Sequence, residues 1–516
     1  MPSAQRLDTH HKALTLNLDP STFGSFGEIG AGQEVARWFL VVGAASGTVA
    51  KTISAYDKEV SDDLYGSGSR YVSKQRLEAM LDNEWTQLRT QLSKSRGSQT
   101  RFFCFVDTVS ARNFAGTNDS HGWIGLRFQL QPGGPPNDVL LHVNMRDPSN
   151  VLQQQAIGIL GVNLIYAAFY EVQTQQSFLE GLAQDVVAER IEIDYVDLRG
   201  PASESWDRRA LLVHLVRAGF AEAVFFSSNG APVPPAEVLH KKAVVLAPGY
   251  FGHTDAVHSQ VHARLLASGI HELQDELGET KTATAGLFCL TVAPFMPNEP
   301  APEISDLLRR IDALLAAGGD VLLFRQVELY HMTALVNRHT KAPVRFVAGL
   351  SLMIRASEDA YSNLEGRRLE ALARLFAQNV RIYVYPMSAA DLREWLQSNS
   401  STGWEWNETN GWVSVSQLRH APPFGHLFAY LLASKFLIPN ASSGGGMTAK
   451  GWHHDALSAF SSSGFSGSDL GSDLGPLNRV KDFAQTSSCE DARRRTRKAD
   501  ETHKAVSFER VGSHFS

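Results

Sequence analysis

The stretch Asp320 to Ser351 reads DVLLFRQVELYHMTALVNRHTKAPVRFVAGLS, and its pattern decides the fold. Asp320–Phe324 is a short apolar run, Glu328–Asn337 repeats apolar residues at helical spacing, and Val344–Val347 is short and apolar again. Strands without polar alternation are buried on both faces, and amphipathic helices between them supply the cover that a parallel sheet needs. The alternation extends in both directions. Upstream lie strand Arg190–Leu198, helix Asp207–Ala218, strand Glu222–Ser227, strand Ala285–Val292 and helix Ile304–Ala317. Downstream lie helix Glu365–Gln378 and strand Val380–Tyr385, then a Trp-rich connection and a closing helix, Phe424–Phe436. The spacing predicts an α/β fold over residues 186–439, with a mostly parallel sheet and flanking helices.

Residues 14–175 have a different pattern and predict an α+β region. Ser73–Arg96 stacks Leu77, Leu81, Trp85 and Leu88 at helical spacing. Three strand-like runs follow, Arg101–Val109, Gly122–Gln131 and Asp138–Met145, the last two joined by the turn-rich Pro132–Asn137. Their closeness in sequence predicts an antiparallel meander. His121 and His142 are placed to meet across it, although paired histidines in a sheet are more often packing or surface residues than ligands. The apolar run Ala156–Tyr170 is about 15 residues, short of the ~20 of a spanning helix, and reads as a buried core helix.

The region opens on a glycine-rich segment, Gly24 to Asp57, reading GSFGEIGAGQEVARWFLVVGAASGTVAKTISAYD. It reads as two turn-plus-helix units, one opened by Gln33 and burying Val35 and Phe39, the other capped by Ser46 and burying Val49, Ile53 and Tyr56. Free N–H groups at a helix start attract anions, so Gly30, Gly32 and Gln33, with Glu28 and Lys51 nearby, form a candidate ligand cradle. The dinucleotide fingerprint would need a glycine at Val35 and a strand leading in, and the triphosphate loop a lysine directly after Gly47. Neither fits. The competing reading is a glycine turn beneath two buried helices.

Composition bounds the rest. The chain has 516 residues, 43% apolar and 20% charged, with net charge −6. That size supports two or three domains, and the charge argues against nucleic acid or an acidic membrane as partner of the folded region. Cysteines at 104, 289 and 489 are too few and scattered for a disulfide framework or cysteine zinc site. The N-terminus lacks the apolar run of a secretory signal, so the expected compartment is the cytoplasm. From 440 to 516, glycine and serine runs and a doubled Gly-Ser-Asp-Leu at 467–474 predict a disordered tail, which also carries the basic run Arg493–Lys498.

In a parallel sheet ligands bind beyond the carboxyl ends of the strands. Arg325 lies at such an end, a planar fork of donors suited to an anion. Glu328 and His331 follow on one helical face, close enough to share a proton. Asp194, inside an apolar strand, is either a buried structural acceptor or a poised acid. His258 and His262 lie four apart on a helix with Asp255 one turn before, a possible divalent-metal set, although the His-Glu-x-x-His form is absent. No Gly-x-Ser-x-Gly elbow is present, and the identity of any cofactor stays open.

Several phrases together carry a resemblance: FGSFGEIGAGQEVARWF from Phe23, HGWIGLRFQLQPGGPPNDVLLHV from His121, LGVNLIYAAFY from Leu160, VPPAEVLHKKAVVLAPGYF from Val233 and RLFAQNVRIYVYP from Arg374. Across Leu16 to Pro439 the chain resembles a mainly bacterial family of cytosolic proteins with no settled activity. Some members carry the labels nicotinate-nucleotide adenylyltransferase or TonB-dependent receptor. The receptor label implies a signal peptide and many alternating strands, both missing. The transferase label implies a His-x-Gly-His loop and a late Ser-Thr-x-x-Arg. Here Gly252-His253 lacks the first histidine, and Ser401-Thr402 runs into Gly403, Trp404 and Glu405. The leading expectation is a protein that binds a small anionic, nucleotide- or phosphate-like ligand. A non-catalytic assembly module, a metal-dependent hydrolase and a nucleotidyltransferase-like enzyme are the alternatives, with oligomeric state open.

Overall fold

A computed structural model describes residues 7–440 apart from 117, 187–188, 230–232, 279–281, 295–299, 358–360 and 362. The tail expected from 440 onward lies, past Asn440, outside the described residues. Two sheets organise the chain. The first has six strands, β1 (Thr22–Ile29), β2 (Val49–Ile53), β3 (Arg101–Ser110), β4 (His121–Gln129), β5 (Pro136–Met145) and β6 (Ile191–Arg199), in the order β2-β1-β3-β4-β5-β6. β2, β1 and β3 are parallel, and β3 to β6 form the antiparallel meander.

The helices of this half are α1 (Thr9–Leu18), α2 (Glu34–Val41), α3 (Lys58–Tyr65), α4 (Lys74–Arg96), α5 (Asn150–Tyr170) and α6 (Gln175–Leu182). Phe26, Phe105, Leu126 and Leu141 point from the sheet towards α1, α2 and α5. Phe102, Val106, Trp123 and Leu140 pack on Leu77, Leu81 and Trp85 of α4. With both faces covered, the strands are apolar almost throughout, which hides the period-two signal. Among the described residues α5 is the one helix long and apolar enough to cross a membrane, and two-thirds of its apolar window is buried within the protein.

The glycine segment departs from expectation. Thr22–Ile29 is a strand, and Val49–Ile53 is a second strand rather than a helix. Gly24 and Gly27 serve packing: a Cβ on Gly24 would lie 2.6 Å from the Phe103 ring, and one on Gly27 would press on Val106 and Glu84. Val49, Thr52 and Ile53 are β-branched and pair in parallel with β1, which overrides their helical spacing. Tyr56, expected to be buried, is 67% exposed.

The second sheet contains β7 (Ala223–Phe226), β8 (Ala243–Pro248), β9 (Thr284–Thr291), β10 (Asp320–Phe324), β11 (Val344–Gly349) and β12 (Val380–Tyr385), with Leu437–Pro439 at one edge. Its order is Leu437–Pro439, β12, β11, β8, β9, β10, β7, parallel throughout except that β7 runs antiparallel to β10. The expected βα alternation is present. Two details differ. The run 190–198 pairs antiparallel with β5 and closes the first sheet, because two helices, α5 and α6, separate them in place of one crossover helix. The central strand β8, AVVLAP, was not expected.

Covering helices are α7 (Arg208–Arg217), α8 (Pro235–Leu239), α9 (Ala256–Leu277), α10 (Ile304–Ala316), α11 (Leu329–His339), α12 (Leu350–Ser357) and α13 (Arg367–Leu375). One apolar core runs from the first sheet through α7 to Val245, Phe288 and Val321 of the second. The two sheets are therefore held by continuous packing.

Candidate functional site

Asp194 owes its position to an irregularity in pairing. His142 lies opposite Tyr195 and Val143 opposite Ile193, so Asp194 is an extra residue in β6. A bulge re-aims side chains and lets neighbours share a face. Ile193 stays in the core with α5, whereas Tyr195 packs on the α4 side and Asp194 reaches His142 on β5. Asp194 Oδ1 is 2.6 Å from His142 Nδ1, and Asn144 Nδ2 donates to Oδ2 at 2.9 Å. His142 Nε2 is in turn 3.2 Å from Nδ1 of His121, the first residue of β4. The result is a line of three polar groups, Asp194–His142–His121. Its first two members are buried, at 4% and 3% exposure, and the His142 ring packs edge-on to Trp123.

His121 opens into a cleft of about 1250 Å³. One wall is the end of the first sheet, with His121, His142, Asn144 and Arg146; the other is α11, with His331, Ala334 and Arg338. Six guanidinium or ammonium groups line the cleft (Arg70, Arg112, Arg146, Arg338, Lys341, Arg374) against three carboxylates, Asp119, Asp147 and Glu237. In a chain of net charge −6 this is a local concentration of cations, three of which pair with Glu192, Glu222 and Glu370 just behind the lining. Five histidines also line it. Burial, and then the neighbouring His142, lowers His121 to about 4. Burial likewise lowers His331 and His339. At neutral pH these three rings add polar but uncharged surface.

The cations differ in how they are occupied. Arg146 donates to Glu192 at 2.7 Å and pairs with Glu222 at 2.9 Å, while Arg338 pairs with Glu222 and stands 3.6 Å from Glu192. This four-membered network joins β6 to α11 and fixes the floor. Arg374 pairs with Glu370 at 2.6 Å, and Lys341 donates to the Asn337 carbonyl at 3.0 Å. Among the described residues Arg70 and Arg112, both exposed at the rim, have no carboxylate partner. Lys341 likewise pairs with no carboxylate among the described residues.

Of the residues singled out from sequence, the cleft gathers His331, while Asp194 lies one hydrogen bond behind its wall. Arg325 sits at the carboxyl end of β10 as expected, but it points towards Gly219 and does not line the cleft. Glu328 occupies the N-cap of α11 without making a capping bond, and it too stays outside. The large cavity therefore runs along the flank of α11 and not around Arg325 at the strand ends. His121, His142, Arg70, Arg112 and Arg338 complete the site; of these only the two histidines carried a signal, their facing positions on the meander.

The glycine cradle is filled from within. The Glu28 carboxylate accepts from Val35 N at 3.0 Å and Ala36 N at 2.9 Å, taking the N–H groups of α2 that a phosphate would need. Gln33 donates to Thr52, Lys51 pairs with Glu84 at 2.6 Å, Gly30 (φ +103) abuts the Val109 carbonyl, and Gly32 (φ +76) faces Gln154. None of them lines the large cleft. Burial pushes Glu28 up to about 7, and burial together with Glu28 raises its cross-strand partner Asp107.

The metal set also changes membership. His262 is 3% exposed and packs edge-on against Phe251 at 5.0 Å. His253 takes its place, stacking on His258 at 4.7 Å, and Asp255 Oδ2 is 2.6 Å from His258 Nδ1. Ligating atoms of His253, Asp255 and His258 lie within 4.8 Å of one another, apart from the cleft lining.

No family model matches the chain, and no curated protein does. Among solved structures, it is similar to the competence/damage inducible protein CihA from Agrobacterium tumefaciens, at 19% identity and TM-score 0.24, over 32% of this chain and 98% of that one. A competence or damage-inducible protein from Enterobacter asburiae is 11% identical, with TM-score 0.22, over 32% and 99%. A CinA superfamily protein from Enterobacter cloacae is 11% identical, with TM-score 0.21, over 36% and 96%. Likenesses this slight carry no argument about fold or activity, and the function rests on the cleft itself.

Proposed function

We propose that the protein binds a small phosphate-bearing molecule in the cleft between α11 and the end of the first sheet. One observation carries the reading: six cationic side chains converge on one cavity against three carboxylates in a chain that is acidic as a whole. A cavity of about 1250 Å³ exceeds the roughly 300–1,000 Å³ of common small-molecule sites, so it has room for a ligand of nucleotide size. Arg70 and Arg112 meet the anion directly, their donors being uncommitted, and Arg146 and Arg338 contribute field from positions already fixed by carboxylates.

Titration calorimetry with inorganic phosphate and pyrophosphate tests this. Binding is expected, weakening as ionic strength rises. Arg112→Ala and Arg70→Ala are each expected to reduce affinity about tenfold, equivalent to loss of one charge-assisted contact of ~1.5 kcal/mol. Absence of phosphate and pyrophosphate binding at low salt would remove the proposal.

A further inference from the structure

We propose that His121 is a catalytic proton acceptor in the cleft, oriented by His142 and Asp194, and that the bound phosphate ester is hydrolysed there by water. The inference rests on the anion-binding reading and adds a reaction to it. An ionised carboxylate has only acceptor sites, so His142 donates from Nδ1 to Asp194 Oδ1 at 2.6 Å. With its proton on Nδ1, His142 presents a bare Nε2, which accepts from His121 Nδ1–H at 3.2 Å. His121 is left with its Nε2 lone pair, and His121 itself lines the cleft. The bulge and the Asn144 bond, which fixes the second Asp194 oxygen at 2.9 Å, serve to hold this order. A buried core histidine needs no such supporting line.

Neither described cysteine is placed to attack instead of water. Cys104 and Cys289 lie outside the cleft, and burial pushes both thiols up, Cys104 to about 12. Water reaches an open cleft freely. In the step, a water O–H bond breaks and its proton passes to His121 Nε2. The water oxygen bonds to phosphorus as the ester P–O bond breaks, and the leaving oxygen takes the proton from His121. Ester and water become alcohol and inorganic phosphate, with His121 returned to its starting state. Arg70 and Arg112 hold the charge on the phosphoryl oxygens. Groups facing His121 besides the line are Asp119 from its own segment and His339 from α11.

The test uses the full chain and two readouts. Phosphate release is followed from para-nitrophenyl phosphate and from a panel of sugar phosphates and nucleoside monophosphates; binding of inorganic phosphate is measured by calorimetry. His121→Ala and His121→Gln are expected to lower release about 10²–10⁴-fold while changing the phosphate Kd less than threefold. Asp194→Asn, a positioning variant, is expected to lower kcat with KM retained. Because the Asp194 charge favours protonated His121, its removal moves the acid limb of the rate profile to lower pH. Release from no member of the panel, or full release by both His121 variants, overturns the inference while phosphate binding leaves the anion site standing. Failure of wild-type protein to bind phosphate removes both.

Discussion

Replacing Glu28 isolates what the glycine segment does. Its carboxylate accepts from Val35 N and Ala36 N, residues that are both 0% exposed, so no solvent stands by to take over. In Glu28→Ala two buried donors lose their acceptor, at roughly 1–3 kcal/mol each, offset in part because an ionisable group is no longer desolvated. A net loss of about 2–4 kcal/mol follows. Glu28→Gln keeps one acceptor and resembles the protonated acid. The comparison with pH supplies the sign. Burial raises the folded-state pKa from 4.5 to about 7, so the folded protein holds a proton that the unfolded chain has released. Between those values the Glu28 proton makes wild-type stability fall as pH rises, by at most about 3 kcal/mol at 1.36 kcal/mol per unit, and Glu28→Gln keeps only the shallower slope of buried Asp107. Urea unfolding by tryptophan fluorescence at pH 5, 6, 7 and 8 measures both effects, and amide exchange at Val35 and Ala36 localises them. If Glu28→Ala unfolds within about 0.5 kcal/mol of wild type, or the wild-type and Gln curves run parallel with pH, Glu28 is not the internal cap of α2.

Two further outcomes are expected. Arg345, 0% exposed in β11, forks onto Glu276 at 2.9 and 2.6 Å, and Glu276 also takes Tyr383 and Arg381. Arg345→Ala leaves Glu276 with Arg381 and Tyr383 but takes the buried donor from the Val344 and Asn379 carbonyls, and is expected to cost about 1–3 kcal/mol in thermal unfolding, whereas a loss under about 0.5 kcal/mol would show the pair to be incidental. In ¹⁵N spectra of histidine-labelled protein at pH 7, His121 and His142 are each expected to carry the proton on Nδ1; Nε2–H on either ring would contradict the proton order inferred for the cleft.

The parts of the fold that were legible in sequence are those where burial and local pattern agree. Strands β9 to β12 are short apolar runs between amphipathic helices, and the parallel sheet could be read from them. Where packing outweighs pattern, the reading failed. Gly24 and Gly27 look like turn residues, yet each removes a Cβ that Phe103, Val106 or Glu84 would strike. The strand β8 follows closely on the five-residue helix α8, so no long amphipathic helix before it marks out a separate βα unit. The direction of β6 depended on the number of helices before it, which its own residues do not encode.

The candidate site was legible one residue at a time and not as an assembly. Asp194 stood out because an aspartate in an apolar strand needs a partner, but that partner is fixed by a one-residue register shift that period-two patterning cannot express. Arg325 and Glu328 obeyed the strand-end rule and still missed the cleft, since the rule locates the rim of one sheet. Here the cavity forms where the flank of α11 faces the end of the first sheet, and two features set that distance. The shared core through α7 fixes it apolarly, and the Arg146–Glu192–Glu222–Arg338 network fixes it electrostatically. The same carboxylates neutralise the two inner arginines and leave Arg70 and Arg112 uncommitted at the mouth. Behind His121, the line to Asp194 runs into the wall beside the inner pair, the Asn144 amide reaching both Asp194 and Glu192. The division of the cations thus orders the cleft, with carboxylate-paired arginines at its floor and unpaired ones at its entrance.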